Sequence, residues 1–289
     1  VDMPGTIKPK QWGAAGEFHN GGDGNIGLNT TMLMSVGWDF TFNDGIRDRN
    51  TGIWKNISLY ATDKAVIRHP FIKSELSKPN YDLAKETVSV EVTTPTQRGI
   101  KCTVKGEIIG ENITFSKDLN LFRGETKEIC FTPEEFPQLT IKNPRLWWPK
   151  GYGSPYLYDA NFTFKVGDKV SDSEDFKVGI RQMTFNENNS ILSLFINGRR
   201  FIGRGGNWGF GESNLNYRGR EYDIAVAYHA DMNFTMMRNW VGQIGDKELY
   251  EACDRHGIMI WQDFWLANPS DGPDPYDPEM FIANAEDYV

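Results

Sequence analysis

Long apolar runs, clustered histidines and paired cysteines are all missing from this sequence of 289 residues. No stretch approaches the roughly 18 apolar residues that span a bilayer, so no membrane partner is expected. The three cysteines, Cys102, Cys130 and Cys253, have no C-x-x-C or other metal spacing, and the four histidines (His19, His69, His229, His256) are scattered. No metal and no cofactor is therefore expected. Cys102 and Cys253 fall on apolar phases and read as buried thiols, and nothing in the sequence supports a Cys102–Cys130 bridge. Positive charge is also short. Lys and Arg number 31 against 39 Asp and Glu, a net charge of −8, and no basic stripe is visible, which argues against a nucleic-acid partner. The first residues, Val1-Asp2-Met3-Pro4, lack the basic-then-apolar pattern of a leader.

What is abundant is aromatic: 13% Phe, Trp and Tyr, with nine Trp. Large cores and stacking on sugar rings both call for such residues, and both readings stand. Six Asn-x-Ser/Thr sequons begin at Asn29, Asn56, Asn112, Asn161, Asn188 and Asn233. Asn233 is expected to open a buried strand where no glycan fits, so the set reads as partly incidental.

Three segments differ in pattern. Residues 1–64 are Gly-rich and irregular, with strand-like stretches at 31–36 and 53–60, too little for a domain alone. Residues 65–185 alternate with period two (Val88, Val90, Val92; Ile100, Cys102, Val104; Phe162, Phe164, Val166). Half-buried antiparallel strands at short intervals over about 120 residues suit an immunoglobulin-like β-sandwich. In its turn-rich loop, Trp147 and Trp148 read as packing residues.

Residues 186–289 open with Asn197-Gly198 between two apolar runs, a two-residue hairpin signal. They continue as strand, helix, strand, helix, strand, helix, which means a parallel sheet. The expected strands are Phe201-Ile202, 234–237 and 258–261. The first helix is expected to bury Ile224, Ala227 and Tyr228, the second Leu249, Ala252 and Cys253, with Gly257 ending it and Pro278 starting the third. Polar and aromatic residues follow each strand: Asn207 and Trp208; Arg238, Asn239 and Trp240; Asp263 and Trp265. In a (β/α)₈ barrel such positions form the active-site face. Trp261, inside the third strand, reads as core. Only three of the eight units are visible.

These residues resemble glycoside hydrolase family 2, most of all its β-mannosidase, exo-β-glucosaminidase and endo-β-mannosidase branch. The resemblance rests on Gly37-Trp38-Asp39, Asn50-Thr51-Gly52-Ile53-Trp54, Leu146-Trp147-Trp148-Pro149 with Gly151 and Gly153, Gly205-Gly206-Asn207-Trp208, and His229 to Phe234 continuing through Arg238-Asn239-Trp240 to Trp261-Gln262-Asp263-Phe264. It implies the end of a jelly-roll domain over 1–64, the immunoglobulin-like sandwich over 65–185 and the first part of a TIM barrel over 186–289. It also implies retaining hydrolysis of β-mannosides or β-glucosaminides by two Glu, an acid and a nucleophile about 5 Å apart.

No Glu here matches either position. Glu212, Glu221, Glu248, Glu251, Glu279 and Glu286 lie on expected loops or helices, so no catalytic residue is assigned, and the pair is expected beyond Val289. The resemblance implies sugar contacts for Asp39, Asn207, Trp208, Arg238, Asn239, Trp240, Asp263 and Trp265. For Arg238 an ion pair at the barrel mouth stands as an equal reading, and for Asp39 a loop-capping role. The residues after Arg238 are not the Arg-x-x-His-Tyr-Pro of galactosidase and glucuronidase branches, which argues against those activities. The substrate is expected to be an oligo- or polysaccharide, and the location periplasmic or secreted. A carbohydrate-binding fragment, or one subunit of a multi-chain glycosidase whose barrel is completed by self-association or a partner chain, are the alternatives.

Overall fold

The computed structural model describes residues 57–96, 98–188, 191–208, 219–239, 246–264 and 278–288. Nearly all of the first segment, 1–64, lies outside them. Contacts divide the described residues into two compact units, one holding Ile57–Ile202 with Asp254–Gly257, the other drawn from Gly203–Cys253 and Ile258–Val289.

In the first of these, eight strands run in chain order: β1 (Val66–Leu76), β2 (Leu83–Thr93), β3 (Ile100–Ile109), β4 (Ile113–Leu121), β5 (Thr126–Phe131), β6 (Thr140–Lys142), β7 (Tyr158–Val166) and β8 (Lys169–Val178). They form two antiparallel sheets, β1-β2-β5 with β6 also on β2, and β4-β3-β7-β8. The period-two pattern explains this directly. Ala84, Val88, Val90 and Val92 of one sheet and Cys102, Val104, Ile108, Phe162 and Phe164 of the other are buried in one core, while the alternate residues stay out. Aromatic rings fill the space between the sheets, with Phe115 and Phe131 4.7 Å apart. Gly106 makes room for this cluster, since a Cβ there would lie 2.1 Å from the Phe115 ring.

Trp147 is fully buried, and its indole N–H donates to the Asp254 carbonyl at 2.8 Å. Both Trp147 and Trp148 pack on glycines, Gly179 and Gly153, where a Cβ would come within 3 Å of the rings. Cys102 is a buried free thiol and Cys130 an exposed one.

A three-stranded meander completes this unit: β9 (Met183–Asn188), β10 (Ile191–Ile196) and β11 (Arg199–Phe201). The two-residue turn is as expected, with Asn197 and Gly198 both at positive φ, 48° and 74°, the geometry of a hairpin that matches strand twist. By contacts these strands group with the sandwich, although the sequence pattern assigns them to the third segment.

The other unit alternates strand and helix: β12 (Asn207–Trp208), α1 (Gly219–Asp231), β13 (Met236–Asn239), α2 (Lys247–His256), β14 (Met259–Gln262) and α3 (Pro278–Tyr288). Its sheet is parallel, in the order β12-β13-β14. The second helix buries Leu249, Ala252 and Cys253 and is followed by Gly257 at φ 73°, both as read from sequence.

Three readings need correction. Phe201 belongs to the antiparallel β11, so the first parallel strand is β12. The buried stripe of α1 is Tyr222, Val226 and Ala230, and Tyr228 is exposed. Two i, i+4 stripes overlap in that helix, and the one chosen contains Tyr222, whose ring nears Trp208 and whose hydroxyl donates to Asp246 at 2.6 Å. Asn233 is exposed at φ 63° in the turn after α1, because β13 begins three residues later.

One residue breaks the sandwich pattern. Glu86 sits on the core phase of β2 and is fully buried, with one carboxyl oxygen bonded to Ser74 at 2.7 Å and the other without a partner. Burial pushes its pKa from 4.5 up to about 7, against a smaller lowering by the Ser74 hydrogen bond. A raised acid favours the fold while both states are protonated, below pH 4.5. That contribution is lost as pH rises, because the unfolded chain ionises first. The free energy of unfolding should therefore fall between pH 4.5 and 7 by roughly 3 kcal/mol more than in Glu86→Gln. Parallel stability curves for the two proteins would contradict the buried acid.

Candidate functional site

Close backbone approach sets the register of the parallel sheet. A Cβ on Gly205 would lie 1.8 Å from the Met236 carbonyl, so only glycine lets the chain run this near β13. Thr235 N–H donates to the Arg204 carbonyl at 2.8 Å, the Thr235 hydroxyl accepts the Arg204 N–H at 2.8 Å, and Arg238 N–H donates to Gly206 at 3.0 Å. The result is two side-chain rows: Asn207, Arg238 and Trp261 in one, Trp208, Asn239 and Gln262 in the other.

Successive side chains of a strand point to opposite faces, and here the two rows have different fates. The Trp208 row faces the helices. Trp208 is 8% exposed and packs with Tyr222 and His229, ring centroids 6.4 and 5.5 Å away. Asn239 is 1% exposed and its amide donates to the Gln262 carbonyl oxygen at 2.8 Å. Both were read from sequence as sugar contacts past the strand ends. They are the last residues of β12 and β13, on the phase that packs against the helices.

The other row is the accessible one. Asn207 is exposed and Trp261 is 58% exposed, on the row opposite the helices. The apolar run Ile258 to Trp261 concealed the alternation, because Ile260 faces the helical core and Trp261 does not.

Asp263 follows β14 and meets Arg238 through two parallel bonds, Nε to Oδ1 at 3.0 Å and the terminal nitrogen to Oδ2 at 2.7 Å. This is a fork–fork pair, the strong, bidentate form of a charged hydrogen bond. The Asp263 side chain is 14% exposed and that of Arg238 41%, so the carboxylate is held and the guanidinium is partly open. The Arg238 ion pair foreseen as one of two readings is present, and it does not exclude ligand contact. A carboxylate beside a guanidinium and an amide can accept and donate to hydroxyls, and the exposed indole face suits an apolar C–H surface. Asp39, Trp240 and Trp265, the remaining expected contacts, lie outside the described residues. Among the described residues no group of three His, Cys, Asp or Glu comes together to hold a metal ion.

Residues 65–181 match the family described as glycosyl hydrolases family 2. The mannosylglycoprotein endo-beta-mannosidase of Lilium longiflorum is 32% identical over 309 residues, covering 100% of this chain and 31% of that protein. An exo-beta-D-glucosaminidase of Streptomyces avermitilis is 26% identical over 84% of this chain and 26% of its own length. The crystal structure of the beta-D-mannosidase from Dictyoglomus thermophilum matches with a TM-score of 0.70 at 22% identity, over 97% of this chain and 33% of that one, a likeness of fold. The chain thus spans less than a third of the length of these relatives.

If Trp208 is a core residue, Trp208→Ala should destabilise the parallel-sheet unit by about 3–5 kcal/mol. Amide exchange in α1 and β13 would then rise together. Unchanged protection would return Trp208 to a ligand role.

Proposed function

The chain belongs to glycosyl hydrolases family 2, and on that premise we propose that the protein hydrolyses terminal β-mannosides or β-glucosaminides of glycans or polysaccharides. In this reading the two-sheet sandwich is the immunoglobulin-like domain and the parallel sheet is the first part of a (β/α)₈ barrel. The Arg238–Asp263 fork then lies where such a barrel carries its active site, at the C-terminal ends of the strands. That position, on the accessible side-chain row, is the observation that carries the proposal.

The roles follow from chemistry. Asp263 accepts sugar hydroxyls, Arg238 orients the carboxylate and donates its remaining N–H groups, and Asn207 and Trp261 extend the same surface. These groups bind and orient. None of them is assigned the acid or nucleophile role that two Glu play in a retaining mechanism. One would protonate the leaving oxygen while the other attacks the anomeric carbon. Contacts made alike to ground and transition states show up in KM. The preference for mannoside or glucosaminide over galactoside is supported by the names of the relatives and by Arg238-Asn239-Trp240 in place of a His-Tyr-Pro type motif.

The test is hydrolysis of p-nitrophenyl β-mannoside, β-glucosaminide and β-galactoside by the intact protein and by Asp263→Asn. One of the first two should turn over and the galactoside should not. Asp263→Asn should lower kcat/KM by about 10- to 100-fold, the range of a lost charged hydrogen bond. Turnover of galactoside alone, or an unaffected variant, would overturn the assignment.

A further inference from the structure

Behind the fork, on the opposite face of the sheet, one amide collects three hydrogen bonds. The Gln262 side-chain oxygen accepts from the Asn239 amide at 2.8 Å and from the Tyr250 hydroxyl of α2 at 3.0 Å. The Gln262 side-chain nitrogen donates to the Asp263 backbone carbonyl at 2.7 Å. With both acceptor sites of the amide oxygen filled, its nitrogen is left on the side of the Asp263 carbonyl, to which it donates. That peptide needs holding. Asp263 lies just past β14, and the ladder bond on its other side, from its own N–H to the Asn239 carbonyl, is long at 3.3 Å.

We infer that Gln262 is a positioning residue, which fixes the Asp263 peptide from the helical side so that its carboxylate meets Arg238 on the open side. The inference rests on the sugar-binding reading of the fork given above. Gln262 touches no ligand itself. It sits on the row that faces the helices, and acts through the backbone of its neighbour. Tyr250 and Asn239 tie the same amide to α2 and to the helical face of β13, so the place of the carboxylate is set from behind the sheet as well as by Arg238 in front. Recognition by a planar fork tolerates little error, and a misplacement of about 1 Å can cost two orders of magnitude.

A merely structural role, bolting α2 to the sheet, predicts something different. In Gln262→Glu the carboxylate still accepts from Asn239 and Tyr250 but has no N–H for the Asp263 carbonyl. Gln262→Leu loses both arms. The expected result in the intact protein is that both variants raise KM for whichever p-nitrophenyl glycoside is the substrate by about tenfold, with kcat changed less than about threefold. Gln262→Glu should melt within a few degrees of the parent. Crystal structures of the variants should show Asp263 drawn away from Arg238, beyond 4 Å. Recovery of the parent KM by Gln262→Glu, or an unaltered fork in its crystal structure, would overturn the inference. Should the parent hydrolyse neither mannoside nor glucosaminide, the glycosidase reading fails, and the crystal structures alone decide the positioning role: a displaced carboxylate supports it and an intact fork refutes it.

Discussion

Alternation along a strand is the constraint on which the candidate site depends. In β12, β13 and β14 the parallel register lines up equivalent positions, so a whole row packs or a whole row is accessible. Trp208, Met237 and Asn239 take the helical face, and Asn207, Arg238 and Trp261 the other. The register itself is pinned by Gly205, whose missing side chain lets the backbone pass within reach of β13. A shift of one residue would bury Arg238 and expose Asn239, and the fork with Asp263 could not form.

The sandwich obeys the same rule with antiparallel pairing, and there it could be read from the sequence almost completely. Val88, Val90 and Val92, or Phe162 and Phe164, alternate with polar neighbours in runs long enough to leave one assignment. The hairpin turn was equally legible, because Asn-Gly is the pair that tolerates two positive φ angles. Glu86 was not. Its carboxyl stands on the core phase of β2 in a sequence that reads as polar at that point, and only the neighbouring Ser74 and the surrounding sheet make its burial visible.

The parallel-sheet unit was legible in its order of elements but not in its phases. Strands of two to four residues give too few positions to show alternation, and buried parallel strands run apolar on both faces. Hence the sequence could not show that Trp208 and Asn239, at the ends of their strands, share the helical face while Trp261 lies on the other. The helix α1 failed for a related reason: Ile224 and Tyr228 form as good a stripe on paper as Tyr222 and Val226, and the tertiary contacts of Tyr222 decide between them. Arg238 and Asp263 were found because they stand at the ends of expected strands and in stretches that resemble the family, but their pairing, 25 residues apart in sequence, needed the sheet. Gln262 stood in the Trp261-Gln262-Asp263-Phe264 stretch that carries the resemblance, but its hydrogen bonds gave no signal, since a glutamine at a strand end has many bland explanations.

The claim that matters most is that the Arg238–Asp263 fork faces a bound sugar. A crystal structure of the intact protein with mannose or glucosamine bound tests it directly. The account predicts a ring hydroxyl within hydrogen-bond distance of the Asp263 carboxylate or the Arg238 guanidinium, on the side of Trp261 and Asn207. A sugar seated elsewhere, with the fork more than a water molecule's width away from it, would contradict the account and leave the pair as a brace of the sheet.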